Sequence, residues 1–257
     1  MILAVDVGNT NIVLGIVDRK KIYWSERVST IITKTEAEYA IDIKMMLDIH
    51  KTDLASLDGA IVSCVVPQIQ NVIRKAIEMI LKRKVLVIGP GVKTGLNIKI
   101  DDPASLGADI VADSVAAMSY GTYPIAVIDM GTATTITVIN KKKEYIGGLI
   151  IPGVMVSLDA LASNAAQLFA ISIDTPKRLI ATTASESMLS GILYSNASAI
   201  DGILDRIEEE LGEKPAAVAT GGLTKRIIPL CRHEIIIDDN LLLKGLQIIY
   251  DKNRKNQ

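Results

Sequence analysis

The sequence carries one short pattern twice. Ala4-Val5-Asp6-Val7-Gly8-Asn9-Thr10-Asn11-Ile12-Val13 returns as Val127-Ile128-Asp129-Met130-Gly131-Thr132-Ala133-Thr134-Thr135-Ile136. Each copy is an apolar run, an Asp-x-Gly turn and a β-branched run, so each predicts two strands joined by a tight turn. Each copy continues into a lysine-bearing turn and a further strand. A chain that repeats such a unit, with strands and helices after each copy, is expected to form two α/β lobes of like topology. We place them at residues 1–117 and 118–257, with no linker-like composition between them.

The other predicted elements fit that plan. Strands are expected at Lys21–Arg27, Gly59–Val65, Val85–Ile88 and Ala216–Ala219. Helical spacing of apolar residues predicts helices over Thr35–Ile49, Gln68–Lys82, Leu106–Tyr120, Val156–Gln167, Ser185–Leu211 and Lys244–Tyr250. Gly147–Gly153, broken by glycine and proline, predicts a loop.

Composition narrows the function classes. With 257 residues and a formal net charge of -1, the chain has no basic excess of the kind a nucleic-acid binder shows. Lys82–Lys84 and Lys141–Lys143 are short runs that read as solvated turns. The two cysteines, Cys64 and Cys231, have no metal-ligand spacing, and Cys64 is expected to be a buried thiol. No run of about 18 uncharged apolar residues is present, so no membrane span is expected. The start, Met-Ile-Leu-Ala-Val-Asp, has no basic leader. A cytoplasmic protein is the expectation.

The Asp-x-Gly turns carry chemistry as well as topology. Gly8 has no Cβ, so a phosphate can approach the backbone there, and Asn9, Thr10 and Asn11 add neutral donors. An acidic Asp6 beside a phosphate makes sense if hydrated Mg²⁺ lies between them. A single turn of this composition also reads as an ordinary hairpin. The second copy offers Gly131, Thr132, Thr134 and Thr135, and two such turns across a cleft could grip one triphosphate. Ala219-Thr220-Gly221-Gly222-Leu223 ends a strand in two glycines, where backbone could pass close to an adenine; alone it is equally a plain strand-to-helix turn. Taken in order, the three elements resemble the nucleotide-binding lobes shared by actin, Hsp70 and sugar kinases. Asp109, on a predicted helix's first turn, reads either as a favourable dipole partner or as the base a phosphoryl transfer needs.

Nearly end to end, the chain resembles the type III pantothenate kinases. The motifs are DVGNTN at Asp6–Asn11, SCVVP at Ser63–Pro67, TGLNI at Thr94–Ile98, LGAD at Leu106–Asp109 and DMGTATT at Asp129–Thr135. They continue with GGLIIPG at Gly147–Gly153, ESMLSGI at Glu186–Ile192 and ATGGL at Ala219–Leu223. The resemblance implies an actin-like ATPase fold with duplicated ribonuclease H-like topology. It implies ATP-dependent phosphorylation of the primary hydroxyl of pantothenate, the first step of coenzyme A synthesis. Asp6, Val7, Gly8, Asn9, Thr10, Asn11, Ile12 and Val13 would hold ATP phosphates and Mg²⁺, the metal through water at Asp6. Thr132 would contact ATP. Asp129 would ligate a monovalent cation, K⁺ or NH4⁺. Gly107, Ala108 and Asp109 would line the pantothenate pocket, with Asp109 as proton acceptor. A homodimer is implied, its pantothenate site built across the interface.

The departures from that family pattern gather at the acceptor side. Ile110 stands where an arginine is usual, Ile100 where an aromatic is usual, and Ala184 where a substrate-contacting threonine is usual. Asn164-Ala165 replaces an Arg-Thr pair. Isoleucine cannot offer a carboxylate the fork of donors that arginine does. Two other readings therefore stand beside pantothenate phosphorylation: a kinase of a less charged alcohol, and a non-catalytic nucleotide-binding regulatory or accessory protein. A chaperone or cytoskeletal ATPase would need long insertions that this chain lacks.

Overall fold

The computed structural model describes residues 1–164 and 171–254. They form two compact units, one of Met1–Tyr120 with Asn240–Gln257 and the other of Gly121–Asp239.

In the first unit, β1 (Ile2–Val7), β2 (Asn11–Val17), β3 (Ile22–Ser29), β4 (Gly59–Cys64) and β5 (Val85–Val87) make one sheet in the order β3-β2-β1-β4-β5. β1 is buried at every position because it lies mid-sheet with both faces covered. β3 alternates between exposed and half-buried, as an edge strand does. One face packs on α1 (Glu36–Ile49) and α2 (Pro67–Leu81) through Leu3, Val5, Val7, Ile12, Val62 and Ile73. α1 begins with a reciprocal cap. Glu38 N–H donates to Thr35 Oγ1 at 3.4 Å, and the Glu38 carboxylate accepts from Thr35 N–H at 2.8 Å. A short strand, β6 (Asn97–Ile98), precedes α3 (Ala108–Ala117).

The second unit repeats the plan. β7 (Ile125–Met130), β8 (Ala133–Ile139) and β9 (Glu144–Pro152) are antiparallel neighbours, and β10 (Ala216–Thr220) and β11 (Ile236–Ile237) extend the sheet in parallel from β7. α4 (Val154–Asn164), the long α5 (Ala184–Leu211) and α6 (Thr224–Ile227) cover its core, which contains Ile128, Ile136, Leu158, Leu193 and Ile200. Thr183 caps α5, its Oγ1 accepting from Glu186 N–H at 3.3 Å, and Gly212 ends it with φ 72°.

The expected loop at Gly147–Gly153 is a correction: most of it is the continuation of β9, paired with β8 from Tyr145 to Pro152. The glycines do not break the strand. They let it bend and approach. The register shifts at Val138/Ile139 opposite Gly147, which has φ 133°. A Cβ on Gly148 would stand 2.4 Å from the Ile136 carbonyl oxygen. Elsewhere the elements agree within a few residues. The helix expected over Leu106–Tyr120 starts at Ala108, and its last turn, Met118–Tyr120, is 3₁₀. The expected helix end at Gln167 lies outside the described residues. Cys64 is half-buried at a strand end rather than enclosed. The Lys141–Lys143 turn is exposed, with Lys141 paired to Glu213.

A boundary drawn in chain order assigns the last helix to the second lobe. Packing puts α7 (Leu241–Asn253) in the first unit, on β1, β2, β4 and α3. Small residues explain how closely α7 meets α3. A Cβ on Gly245 would stand 1.9 Å from the Ala112 carbonyl oxygen. Both contacting atoms are backbone or Cβ, so neither can rotate away. Gly245→Val will therefore force the helices apart and lower stability by about 1–3 kcal/mol or more, read as a fall in thermal midpoint.

Candidate active site

Alternation along the strands decides what reaches the end of the first sheet. Leu3, Val5 and Val7 belong to the α1/α2 core, so Ile2, Ala4 and Asp6 point to the other face. Helix α7 lies over that face, with Leu243 against Gly15 and Tyr250 against Gly59. Asp6 stands at the carboxyl end of β1, 9% exposed, in antiparallel register with Val13 and in parallel register with Ser63. The carboxyl ends of strands are where open α/β sheets place ligands.

The first turn is tightly tied. Gly8 N–H donates to the Asn11 carbonyl at 3.0 Å. Thr30 clamps the turn from β3's end. Its N–H donates to the Thr10 carbonyl at 3.0 Å and its hydroxyl to the Gly8 carbonyl at 2.7 Å. Gly8 is half-buried; Asn9, Thr10 and Asn11 are exposed at the tip; Val7 and Ile12 are buried and Val13 half-buried beneath them. Within the predicted phosphate set, then, the tip offers contacts while Val7, Ile12 and Val13 hold its shape.

Helix α3 packs on α7 and carries Asp109 in its first turn. α3 packs on β4, and a Cβ on Gly107 would lie 3.8 Å from Val65 Cγ1. Val65 N–H in turn donates to the Val7 carbonyl at 3.0 Å. Gly107, not Asp109, is the helix cap, and no side chain caps the helix. Asp109 Oδ1 accepts from Ile110 N–H at 2.7 Å, a purely local bond. Burial pushes the Asp109 carboxyl above its ordinary value, outweighing that hydrogen bond. A carboxylate so raised is the more basic, as a proton acceptor requires. Ala108, Ile110 and Ile100 are half-buried. The thiol of Cys64, which pairs with Val7, is also pushed up by burial, so it is a poor nucleophile.

The second unit builds its turn by backbone contact. Gly131 N–H donates to the Ala133 carbonyl at 3.1 Å, and Gly131 and Thr132 are exposed at the tip. Two glycines from elsewhere press on this turn. A Cβ on Gly153 would stand 2.1 Å from the Thr132 carbonyl oxygen. A Cβ on Gly221 would stand 2.5 Å from that of Met130, and Gly221 also has φ 106°. Sequence reasoning gave Gly221 a ligand role and missed Gly153; only their contacts show that both first of all shape the turn. Gly222 is exposed beside them. Asp129, half-buried, lies in register with Thr135 on β8 and Thr220 on β10. Ala184 is exposed in the first turn of α5. Asn164 is exposed, and Ala165 lies outside the described residues.

The donor set fits one kind of divalent site. Among the described residues no three His, Cys, Asp or Glu side chains converge, so no all-protein cage exists there. Asp6 is a single carboxylate beside a phosphate-type turn. The Ser63 hydroxyl next to it is fully buried and makes no hydrogen bond among the described residues. One carboxylate with neutral oxygen neighbours suits hydrated Mg²⁺ held mostly by phosphates. Among the described residues, no helix is long and apolar enough to cross a membrane.

Comparison with known proteins agrees with this geometry. The family model for type III pantothenate kinase matches residues 2–206. A type III pantothenate kinase of Halalkalibacterium halodurans is 42% identical over 253 residues, covering 98% of this chain and 100% of the relative. One of Bacillus cytotoxicus is 42% identical, covering 98% and 97%. Among solved structures, a Baf family protein of Campylobacter jejuni aligns with TM-score 0.60 at 17% identity, over 99% of this chain and 100% of that one. The activator of 2-hydroxyisocaproyl-CoA dehydratase from Clostridium difficile, solved with ADPNP, aligns with TM-score 0.59 at 13% identity, over 100% and 96%. At these identities the solved structures establish the fold, that of the actin-like ATPases.

Proposed function

The chain belongs to the type III pantothenate kinase family, and from that premise we propose that it transfers the γ-phosphoryl group of ATP to the primary hydroxyl of pantothenate. This is the first step of coenzyme A synthesis. What supports the proposal is the Asp-x-Gly turn at the carboxyl end of β1 together with α3 packed on neighbouring β4, its first turn carrying an Asp109 whose carboxyl burial pushes up. Asp109 accepts the proton of the attacking hydroxyl and holds its oxygen toward phosphorus. The new O–P bond forms as the bond to the β–γ bridging oxygen breaks, and ADP leaves with that electron pair. The N–H groups and side chains at Gly8–Asn11 bind phosphate oxygens, and Gly131 and Thr132 contact ATP. Mg²⁺ would neutralise phosphate charge there, and Asp6 would hold it through water. Gly221 and Gly222 would give the adenine backbone access, while Asp129, in register with Thr135 and Thr220, would hold a monovalent cation, K⁺ or NH4⁺.

The two lobes of this reading are the repeated strand-turn-strand units, residues 1–117 and 118–257 in chain order. The working form is a cytoplasmic homodimer. Exposed Ile150, Met155, Val156 and Leu161 on β9 and α4 supply the kind of apolar surface a dimer covers. Sedimentation at micromolar concentration tests it: a dimer's mass is expected, and a monomer rejects it. The test of activity is ADP release in potassium buffer with and without pantothenate. Strong stimulation by pantothenate is expected; none rejects pantothenate as acceptor.

A second reading has a specific observation behind it. Ile100 and Ile110 put half-buried apolar side chains where the family resemblance implies an aromatic and an arginine. Gly107, Ala108, Asp109 and these two isoleucines would then receive a less charged alcohol. ADP release stimulated by another alcohol but not by pantothenate selects that reading. Nucleotide binding without turnover on any acceptor selects the accessory-protein reading.

A further inference from the structure

Ser63 is 0% exposed and its hydroxyl makes no hydrogen bond among the described residues. A buried hydroxyl without a partner costs the fold stability that alanine would not. Its position suggests what that cost serves. Ser63 is the parallel register partner of Asp6, so the two side chains leave neighbouring strands on the same face, at the same end. The first turn of α3 reaches this end of β4 as well. The second unit repeats the arrangement independently. Thr220, 6% exposed, is the parallel register partner of Asp129. In both copies a buried hydroxyl stands beside the turn's aspartate on the strand that joins in parallel.

We propose that Ser63 is a positioning residue of the first phosphate turn: with Asp6, its hydroxyl holds a water of the hydrated magnesium ion that accompanies ATP. The inference rests on the kinase reading above, because it needs a magnesium nucleotide at Asp6. It concerns binding alone and needs no acceptor.

The experiment compares parent, Ser63→Ala and Ser63→Thr. Affinity for a non-hydrolysable ATP analogue is measured by calorimetry with Mg²⁺ and with EDTA, alongside the thermal midpoint of each free protein. Ser63→Ala is expected to weaken binding in Mg²⁺ by about tenfold, the loss of one hydrogen bond in a charged setting. Its affinity in EDTA should match the parent's, and its thermal midpoint should be equal or higher. Ser63→Thr, which keeps the hydroxyl, should stay within about threefold of the parent in Mg²⁺. Ser63→Ala binding the magnesium complex as tightly as the parent overturns the inference and leaves the kinase reading standing. Equal losses with and without Mg²⁺, accompanied by a lower midpoint, assign Ser63 a structural role and also overturn it. A parent that binds no magnesium nucleotide removes the kinase reading and this inference together.

Discussion

Asp109→Asn will lower turnover by about 10²- to 10⁴-fold, the usual contribution of a positioned general base, while ATP affinity stays within a few-fold. Steady-state kinetics and nucleotide calorimetry read the two effects separately. The same variant will not lose stability. Burial raises the Asp109 carboxyl above the ordinary 3.8, so the folded protein binds that proton more tightly than the unfolded chain does. The stability this gives is fully present below 3.8 and is lost as pH rises through the raised folded value. At neutral pH the ionised Asp109 is therefore a burden, which asparagine removes. The thermal midpoint of Asp109→Asn should equal or exceed the parent's at pH 7, with the difference closing toward acid. The raised value also sets the acid limb of the pH–rate profile above 3.8. An Asp109→Asn enzyme with parental turnover removes Asp109 from the chemistry, and one with a much lower midpoint makes its role structural.

Ile110→Arg combined with Ala184→Thr will raise turnover on pantothenate at sub-saturating concentration. A charge-assisted hydrogen bond to the substrate carboxylate contributes about 1.5–3 kcal/mol, or roughly tenfold to more than a hundredfold. The opposing term is smaller. A cation in the first turn of α3 meets the positive end of the helix, at about 0.3–1 kcal/mol. Asp109 next to it in sequence reduces that cost further. Ala184 begins α5 at an exposed position, where threonine fits without repacking. The gain should appear chiefly as a lower KM for pantothenate with KM for ATP unchanged. A double variant no better than the parent would show that Ile110 and Ala184 do not limit acceptor binding, and would turn attention to the less charged alcohol.

Local sequence determined a great deal here. The repeated Asp-x-Gly turns, the strands on either side of them and the helix opening at Gly107-Ala108-Asp109 all depend on residues within one or two turns of each other. Apolar runs, capping residues and glycine are legible at that range. The Gly147–Gly153 misreading marks the limit. Glycine signals freedom of the backbone, and whether that freedom serves a loop, a bulge or a close approach depends on the strand lying beside it. Gly148 has no room for a side chain because of Ile136 and Thr137, and Gly153 because of Gly131 and Thr132.

Tertiary structure alone decided the rest. It put the C-terminal helix on the first sheet through Gly245 and Ala112, distant in sequence. It put Ser63 beside Asp6 and Thr220 beside Asp129, because parallel register is set by whole-strand packing rather than by any neighbouring residue. And it made Asp109 more basic than a free aspartate, since desolvation comes from what surrounds a carboxyl and not from its own position in the chain. A sequence names the groups available for chemistry; burial and register, which arise only when distant segments meet, set what those groups can do.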